Sequence, residues 1–264
     1  MTAFLLIALD VDGTLITDDH LITDQTKATI KTVHDKGARI VLCTGRGPVS
    51  TLPILQELGL SGTAITHNGA ATISSDDRTV LHQYSFYMEE VEQVISYCRK
   101  NSIHYDVNTA FDMYVDRMTD EVNQMYIKHL ADYSKVDDVM MLTEPMVKVS
   151  IFADAAVLDQ LAQDWSVIGN SNLSMIRSGE TFIDVLHPEA NKGNALRRLT
   201  DLFGMKSQQV LAIGNYYNDI EMIEFAGLGI AMENSPEAVK SKADAVTASN
   251  NEDGVSQAII RYCM

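Results

Sequence analysis

The sequence lacks three features that would indicate a membrane, secreted or nucleic-acid-binding protein. No apolar run approaches the roughly 20 residues that span a bilayer, and the first run is too short for a signal peptide. The three cysteines lie far apart, which excludes both a disulfide framework and a four-cysteine metal site. The net charge of -16 disfavours nucleic acid or an anionic membrane as a partner. We therefore predict a cytoplasmic protein.

An acidic motif follows the first apolar run of the chain. Phe4–Leu9 is typical of a strand buried on both faces of a parallel sheet, and it is followed by Asp10, Asp12, Gly13 and Thr14. The carboxyl edge of such a sheet is where ligands bind. Buried carboxylates need a cation, a proton or a cluster of hydrogen bonds, and a divalent metal would supply the countercharge. One carboxylate could then act as a nucleophile and the other as an acid–base group, whereas the alternative is an acidic turn.

Polar clusters also follow later apolar strands or begin later helices. Each has a structural explanation of its own, such as a strand-to-helix turn, a helix cap or a surface lysine. Together they are predicted to meet at one edge of a parallel sheet, where a hydroxyl and backbone N–H groups can hold phosphate. The clusters are Thr44-Gly45-Arg46, Asn68-Gly69, Lys192 and Gly214-Asn215-Tyr216-Tyr217-Asn218-Asp219.

The pattern of the chain changes twice. Residues 1–84 predict alternating strands and helices followed by a hairpin, and residues 189–264 return to that pattern. Between them, residues 85–188 predict alternating, half-exposed strands with helices. We therefore predict an α/β protein with a Rossmann-like three-layer core, a parallel sheet, and an inserted α+β cap domain over residues 85–188.

Several local signals predict where helices begin and end. Thr23 is a candidate N-cap, and Ser235 is a candidate N-cap for a helix that ends at Lys240. A helix is also predicted from about Thr119 to Leu130.

The motifs together resemble those of the haloacid dehalogenase-like phosphatases, and more narrowly the Cof-type group, whose cap is inserted between the second and third motifs. The resemblance covers nearly the whole chain. The motifs that carry it are Asp10-Val11-Asp12-Gly13-Thr14, Thr44-Gly45-Arg46, Lys192 and Gly214-x-x-x-Asn218-Asp219.

The resemblance implies a role for each motif. Asp10 would attack phosphorus and form an aspartyl-phosphate, and Asp12 would protonate the leaving alcohol and then activate water. Mg²⁺ would be the cofactor, because a metal and a lysine offset the repulsion between a carboxylate and a phosphate. The implied substrate-binding residues are Thr44, Gly45, Arg46, Asn68, Lys192 and Asn218. The implied metal-site residues are Asp10, Asp12 through its main-chain carbonyl, Asn215 and Asp219.

The sequence departs from the family pattern at one metal position. The family has the pattern G-D-x-x-N-D, and this chain has Asn215 in place of the first aspartate. An amide oxygen can bind Mg²⁺ but brings no charge, so we predict a metal site weaker than is usual in the family.

These features favour a Mg²⁺-dependent phosphatase that acts on small phosphorylated metabolites, with sugar phosphates preferred. One alternative is a non-catalytic or weakly active relative that binds a ligand or has a regulatory role. Another is a phosphomutase of the same superfamily. We expect a monomer or a small homo-oligomer, with no nucleic-acid or membrane partner.

Overall fold

The computed structural model describes residues 4–128, 132–169 and 171–264. The chain forms two compact units. The first combines Met1–His82 with Asn191–Met264, and the second is Gln83–Ala190. No helix of the described part is long and apolar enough to cross a membrane.

Strands and helices alternate along most of the described chain. The strands are β1 (Leu6–Leu9), β2 (Arg39–Cys43), β3 (Thr63–Thr66), β4 (Ala71–Ser74), β5 (Thr79–Gln83), β6 (His104–Asn108), β7 (Met113–Val115), β8 (Ser134–Lys135), β9 (Lys148–Phe152), β10 (Ser174–Arg177), β11 (Phe182–Leu186), β12 (Val210–Gly214), β13 (Leu228–Ala231) and β14 (Ala245–Val246). The helices are α1 (Asp24–Asp35), α2 (Pro48–Glu57), α3 (Met88–Lys100), α4 (Asp120–Lys128), α5 (Ala155–Ile168), α6 (Lys192–Leu202), α7 (Ile220–Phe225), α8 (Glu237–Lys240) and α9 (Gly254–Cys263).

A sheet with the order β14-β13-β12-β1-β2-β3-β4-β5 forms the centre of the first unit. Strand β1 pairs in parallel with β12 on one side and with β2 on the other, and β4 runs antiparallel to β3. Leu6 and Ala8 pack with Leu196 of α6, whereas Ile7 and Leu9 point to the opposite face and are also fully buried. Because both faces are covered, the apolar run has no polar alternation. The predicted fold class is confirmed.

The second unit contains a sheet with the order β10-β11-β9-β6-β7-β8. Its central pairs, β6 with β9 and β9 with β11, are antiparallel. Alternation along these strands places Tyr105 and Val149 in an apolar cluster that includes Val94 of α3 and Leu158 of α5. Several alternate positions on these strands are polar, among them Asp106 of β6, Ser150 of β9 and Asp184 of β11.

Local capping signals agree with the structure in one case and disagree in another. The Thr23 side chain accepts a hydrogen bond from the N–H of Thr26, as expected of an N-cap. Ser235 does not cap α8, so that prediction was wrong: Pro236 keeps an extended ψ of 148°, and the helix begins only at Glu237. Helix α4 runs over Asp120–Lys128, and its predicted end at Leu130 lies outside the described residues.

One carboxyl group of the second sheet is buried among polar groups. Asp106 is 5% exposed and accepts hydrogen bonds from Asn108 Nδ2 at 2.6 Å and from the Tyr126 hydroxyl at 3.1 Å. Burial raises the pKa of Asp106 to about 6, although Lys148 and the two hydrogen bonds favour the charged form. The folded state therefore holds a proton on Asp106 more tightly than the unfolded chain does.

We predict that Asp106→Asn changes the free energy of unfolding, relative to that of the unaltered protein, more favourably at pH 7.5 than at pH 4.5. A raised pKa of the folded state means that ionisation of Asp106 destabilises the fold as the pH rises from about 4 through 6, by up to about 3 kcal/mol. Asparagine does not ionise and escapes this loss. Urea unfolding at both pH values measures the difference, with the exposed Asp201→Asn exchange as the control. An equal effect of Asp106→Asn at both pH values would contradict the prediction.

Candidate active site

Three polar clusters meet at the carboxyl edge of the first sheet. Asp10 follows β1, Thr44 follows β2 and Asn215 follows β12. Because β1 pairs in parallel with both neighbours, the three strand ends lie side by side. The predicted site residues near these ends belong to the first unit, although they come from both of its sequence segments.

The ammonium group of Lys192 lies between two buried carboxylates. Its Nζ is 2.6 Å from Asp10 Oδ1 and 2.6 Å from Asp219 Oδ1. The three residues are between 0% and 5% exposed. Lys192 is the first residue of α6, whose N-cap Asn191 accepts a hydrogen bond from a backbone N–H. One buried cation therefore contacts two buried anions, which leaves the cluster with an excess negative charge.

The close approach of α6 to the sheet edge depends on a glycine. Gly69 has a φ of +94°, and a Cβ there would overlap the backbone of Asn191 and Lys192. A residue with a side chain would therefore displace the N-terminus of α6 and with it the lysine.

The charges of the cluster shift one another's proton affinity. Burial and the neighbouring Asp219 raise the pKa of Asp10 to about 7, while Lys192 lowers it. Burial alone would lower the pKa of Lys192, but the attraction of both carboxylates outweighs burial and raises it. Lys192 is therefore charged at neutral pH and stabilises the carboxylate form of Asp10.

Asn215 completes a group of three atoms suited to a small cation. Its inner amide atom, defined as the one of Oδ1 and Nδ2 that faces Asp10, lies 2.9 Å from the main-chain oxygen of Asp12 and 3.1 Å from Asp10 Oδ2. Adjacent ligands of an octahedral Mg²⁺ with bonds of roughly 2.1 Å are about 3.0 Å apart. The donors therefore fit Mg²⁺ when the inner atom is Oδ1.

Asp219 holds the Asn215 loop in place. Its Oδ2 accepts hydrogen bonds from the backbone N–H groups of Asn215 at 2.8 Å and Tyr216 at 2.9 Å. Both carboxylate oxygens of Asp219 are thus engaged within the protein. Among the described residues, no group of three or more His, Cys, Asp or Glu side chains could hold a metal ion.

Asp12 is paired with the arginine of the second motif. Arg46 donates from Nε to Asp12 Oδ2 at 2.8 Å and from Nη2 to Oδ1 at 2.6 Å. The Asp12 side chain is 54% exposed, in contrast to the buried Asp10. The backbone N–H of Arg46 donates to Thr44 Oγ1 at 3.1 Å, which fixes the start of the turn. The two aspartates of the first motif therefore lie in different environments, as a division of roles requires.

The remaining predicted substrate-binding residues form one contact group. Asn218 Nδ2 donates to Asn68 Oδ1 at 3.0 Å. Asn68 has a left-handed backbone with a φ of 56°, which asparagine tolerates. A Cβ on Gly45 would press against the Asn68 side chain. Gly45, Asn68 and Asn218 are thus brought together, as the sequence suggested.

Two further residues support the first motif and were not assigned a role from the sequence. Thr14 Oγ1 lies 3.2 Å from the inner amide atom of Asn215, and Asn234 Nδ2 donates to the carbonyl of Gly13 at 2.9 Å. Thr14 belongs to the motif itself. Asn234 lies just after β13, so the strand-end argument applied to that strand would have found it.

Comparison with known proteins identifies the class to which this fold and site belong. A family model described as haloacid dehalogenase-like hydrolase matches residues 7–259, and the chain belongs to this family. The predicted superfamily and enzyme class, phosphoric monoester hydrolase, are confirmed.

Relatives and solved structures match over almost the whole chain. The 5-amino-6-(5-phospho-D-ribitylamino)uracil phosphatase YcsE of Bacillus subtilis is 30% identical over 264 residues, covering 98% of this chain and 96% of the relative. A haloacid dehalogenase-like hydrolase from Bacteroides thetaiotaomicron has a TM-score of 0.90, 28% identity and coverage of 98% and 99%. The HAD subclass IIB sugar phosphatase BT4131 has a TM-score of 0.84, 25% identity and coverage of 97% and 98%.

We predict that Lys192→Met destabilises the protein by about 3–5 kcal/mol at pH 7.5. The exchange keeps the volume but leaves Asp10 and Asp219 buried without a cation. Urea unfolding measures the loss. Adding Asp219→Asn to Lys192→Met should recover part of it, because one of the two buried charges is then gone. A double variant no more stable than Lys192→Met would contradict this account.

Proposed function

We propose that the protein is a Mg²⁺-dependent phosphatase that hydrolyses small phosphorylated metabolites, with sugar phosphates preferred, through an aspartyl-phosphate. The observation that carries the proposal is the Asp10 carboxylate, held 2.6 Å from a buried ammonium, with a second aspartate two residues further on. The sugar phosphatase and the phosphoribitylamino-uracil phosphatase among the similar proteins support substrates with a phosphorylated sugar or polyol.

The first half of the reaction transfers the phosphoryl group to the protein. The Asp10 carboxylate attacks phosphorus, a P–O bond to Asp10 forms and the P–O bond to the leaving alcohol breaks. Asp12 donates a proton to the leaving oxygen, so that a neutral alcohol departs. Lys192 contributes positive charge beside the nucleophile, where the substrate brings negative charge.

The second half releases phosphate and restores both aspartates. Asp12, now a carboxylate, takes a proton from a water molecule that attacks phosphorus. The P–O bond to Asp10 breaks, and inorganic phosphate leaves while Asp12 keeps the proton for the next cycle. The exposure of the Asp12 side chain suits a group that meets both the leaving alcohol and water.

The residues proposed to hold Mg²⁺ are Asp10 through Oδ2, Asp12 through its main-chain oxygen and Asn215 through its side-chain oxygen. Asp219 supports them by fixing the Asn215 loop. When bound, the cation supplies positive charge that offsets the repulsion between a carboxylate and a phosphate.

Arg46 is proposed to change partner when substrate binds. Its guanidinium is a two-pronged donor that fits a phosphoryl group as well as the Asp12 carboxylate. Transfer of these hydrogen bonds to substrate would leave Asp12 able to carry the proton that the first half needs. Thr44 and the Asn68–Asn218 pair are proposed to bind the substrate from the adjacent strand ends.

The second unit, over about residues 85–188, is proposed to act as the cap that selects the substrate.

A protein that binds its ligand but turns over slowly is a second candidate function, favoured by Asn215 in place of a charged ligand. A phosphomutase would transfer the phosphoryl group to a second substrate instead of water, and release of free phosphate without an acceptor separates the two. Cytoplasmic location and a monomer or small homo-oligomer stay predictions.

We predict that Asp10→Asn abolishes turnover and preserves the fold, because an amide is a far poorer nucleophile than a carboxylate. The measurement is phosphate release from a panel of sugar and polyol phosphates with Mg²⁺. The exposed Asp19→Asn variant is the matched control and should retain activity. Activity of Asp10→Asn near that of the unaltered protein would overturn the covalent mechanism, and inactivity of the unaltered protein on every ester would overturn the proposed function.

We predict that Asp12→Ala lowers the rate by about 10²–10⁴-fold for sugar phosphates and less for p-nitrophenyl phosphate. A nitrophenolate leaves without a proton, whereas a sugar alkoxide needs one. Single-turnover rates of phosphoryl transfer to Asp10 compare the two leaving groups directly. Equal losses for both substrates in that step would show that Asp12 is not the acid.

A further inference from the structure

The two ends of the Asn215 amide have different surroundings. The inner amide atom lies 2.9 Å from the main-chain oxygen of Asp12, 3.1 Å from Asp10 Oδ2 and 3.2 Å from Thr14 Oγ1. The outer end faces Gly13, where a Cβ would overlap it. Either the oxygen or the nitrogen of this amide can therefore be the atom that faces the Asp10 carboxylate.

Hydrogen bonding decides which end faces inward when no cation is bound. With Oδ1 inward, the Thr14 hydroxyl can donate to it, but the main-chain oxygen of Asp12 and the ionised Asp10 carboxylate face it without a hydrogen between them. With Nδ2 inward, the same contacts become hydrogen bonds from the amide to both oxygens. An NH₂ group has two hydrogens, so the nitrogen-inward orientation forms two hydrogen bonds, to Asp10 Oδ2 and to the Asp12 oxygen, where the oxygen-inward orientation forms one, with the Thr14 hydroxyl.

A bound cation reverses this preference. An amide nitrogen carries two hydrogens and offers no lone pair to a metal, whereas the amide oxygen is a suitable ligand for Mg²⁺. The cation and the inward NH₂ group also compete for the same two oxygens, Asp10 Oδ2 and the main-chain oxygen of Asp12.

We propose that the Asn215 NH₂ group takes the place of the cation in the metal-free protein. Mg²⁺ then binds only after the side-chain amide has rotated so that its oxygen faces inward. The proposal rests on the proposed function in one respect, that the cation of this site is Mg²⁺. Its consequence is a compromise: the metal-free site is stabilised by two N–H donors, and Mg²⁺ affinity is lowered because those hydrogen bonds must be given up.

The charge balance of the cluster gives the amide its importance. Lys192 neutralises one of the two buried carboxylates, Asp10 and Asp219. An aspartate at position 215 would place a third carboxylate against Asp10 and make the metal-free site less stable. Asparagine removes that repulsion and adds hydrogen bonds, so this chain keeps an ordered site at low Mg²⁺.

Thermal unfolding tests this exchange of Mg²⁺ affinity for stability of the metal-free site. The proteins compared are the unaltered protein, Asn215→Asp and the control Gln93→Glu. Gln93→Glu adds one negative charge at an exposed position of α3. In EDTA, Asn215→Asp should unfold at a lower temperature than both others. With increasing Mg²⁺, its Tm should rise at a concentration about ten- to a hundredfold lower than that of the unaltered protein, the factor expected for one hydrogen bond to a charged group.

The turning of the amide has a direct spectroscopic readout. The side-chain NH₂ signals of Asn215 in a ¹⁵N–¹H correlation spectrum are those missing from Asn215→Asp. In EDTA these hydrogens should exchange slowly with water, and on saturation with Mg²⁺ the signals should shift and exchange faster. A charge effect alone would lower the Tm of Asn215→Asp but would not change the exchange of these hydrogens.

Three results would overturn the proposal. They are rapid exchange of the Asn215 NH₂ group in EDTA, unchanged exchange when Mg²⁺ has raised the Tm, and a half-saturating Mg²⁺ concentration equal in Asn215→Asp and the unaltered protein. Absence of any Mg²⁺ effect on either protein would overturn it as well. All of these measurements are made without substrate, so failure to hydrolyse phosphate esters would overturn the proposed function and leave the amide proposal standing.

Discussion

The site depends on one buried ammonium group. Asp10 and Asp219 can both be buried only because Lys192 lies between them, at 2.6 Å from each. The lysine occupies the first position of α6, where the helix dipole disfavours a positive charge. The two carboxylates offset this cost. The position of α6, the glycine that lets it approach the sheet edge, and the loop held by Asp219 all serve to keep that contact.

Much of the fold follows from local patterns in the sequence. The apolar run before Asp10 predicted a strand buried on both faces, and β1 indeed lies between β12 and β2. Because the carboxyl ends of parallel strands share an edge, Asp10, Thr44 and Asn215 could be expected to lie together. The α8 cap was mispredicted because a serine before a proline has the composition of an N-cap, whereas the extended ψ of Pro236 delays the helix.

Contacts that depend on side-chain direction could not be predicted from the sequence. Arg46 was expected to bind substrate, and nothing in its motif indicates that it pairs with Asp12, 34 positions earlier in the chain. The sequence likewise shows that Asn215 replaces a carboxylate but not that its amide lies within hydrogen-bond distance of Asp10 and Asp12. Both contacts depend on rotamers that are fixed only once distant segments have packed.

The neighbours of β1 have a consequence for the order in which the chain folds during synthesis. Strand β2 follows β1 closely, but β12 is made only after the whole second unit, and Lys192 is 182 positions later than Asp10. Until then β1 exposes an unpaired edge, and the Asp10 carboxyl group has no buried cation beside it. The second unit is continuous in sequence and can fold on the ribosome before the first is complete. The nascent chain is therefore most exposed to aggregation while the first sheet still lacks β12, β13 and β14.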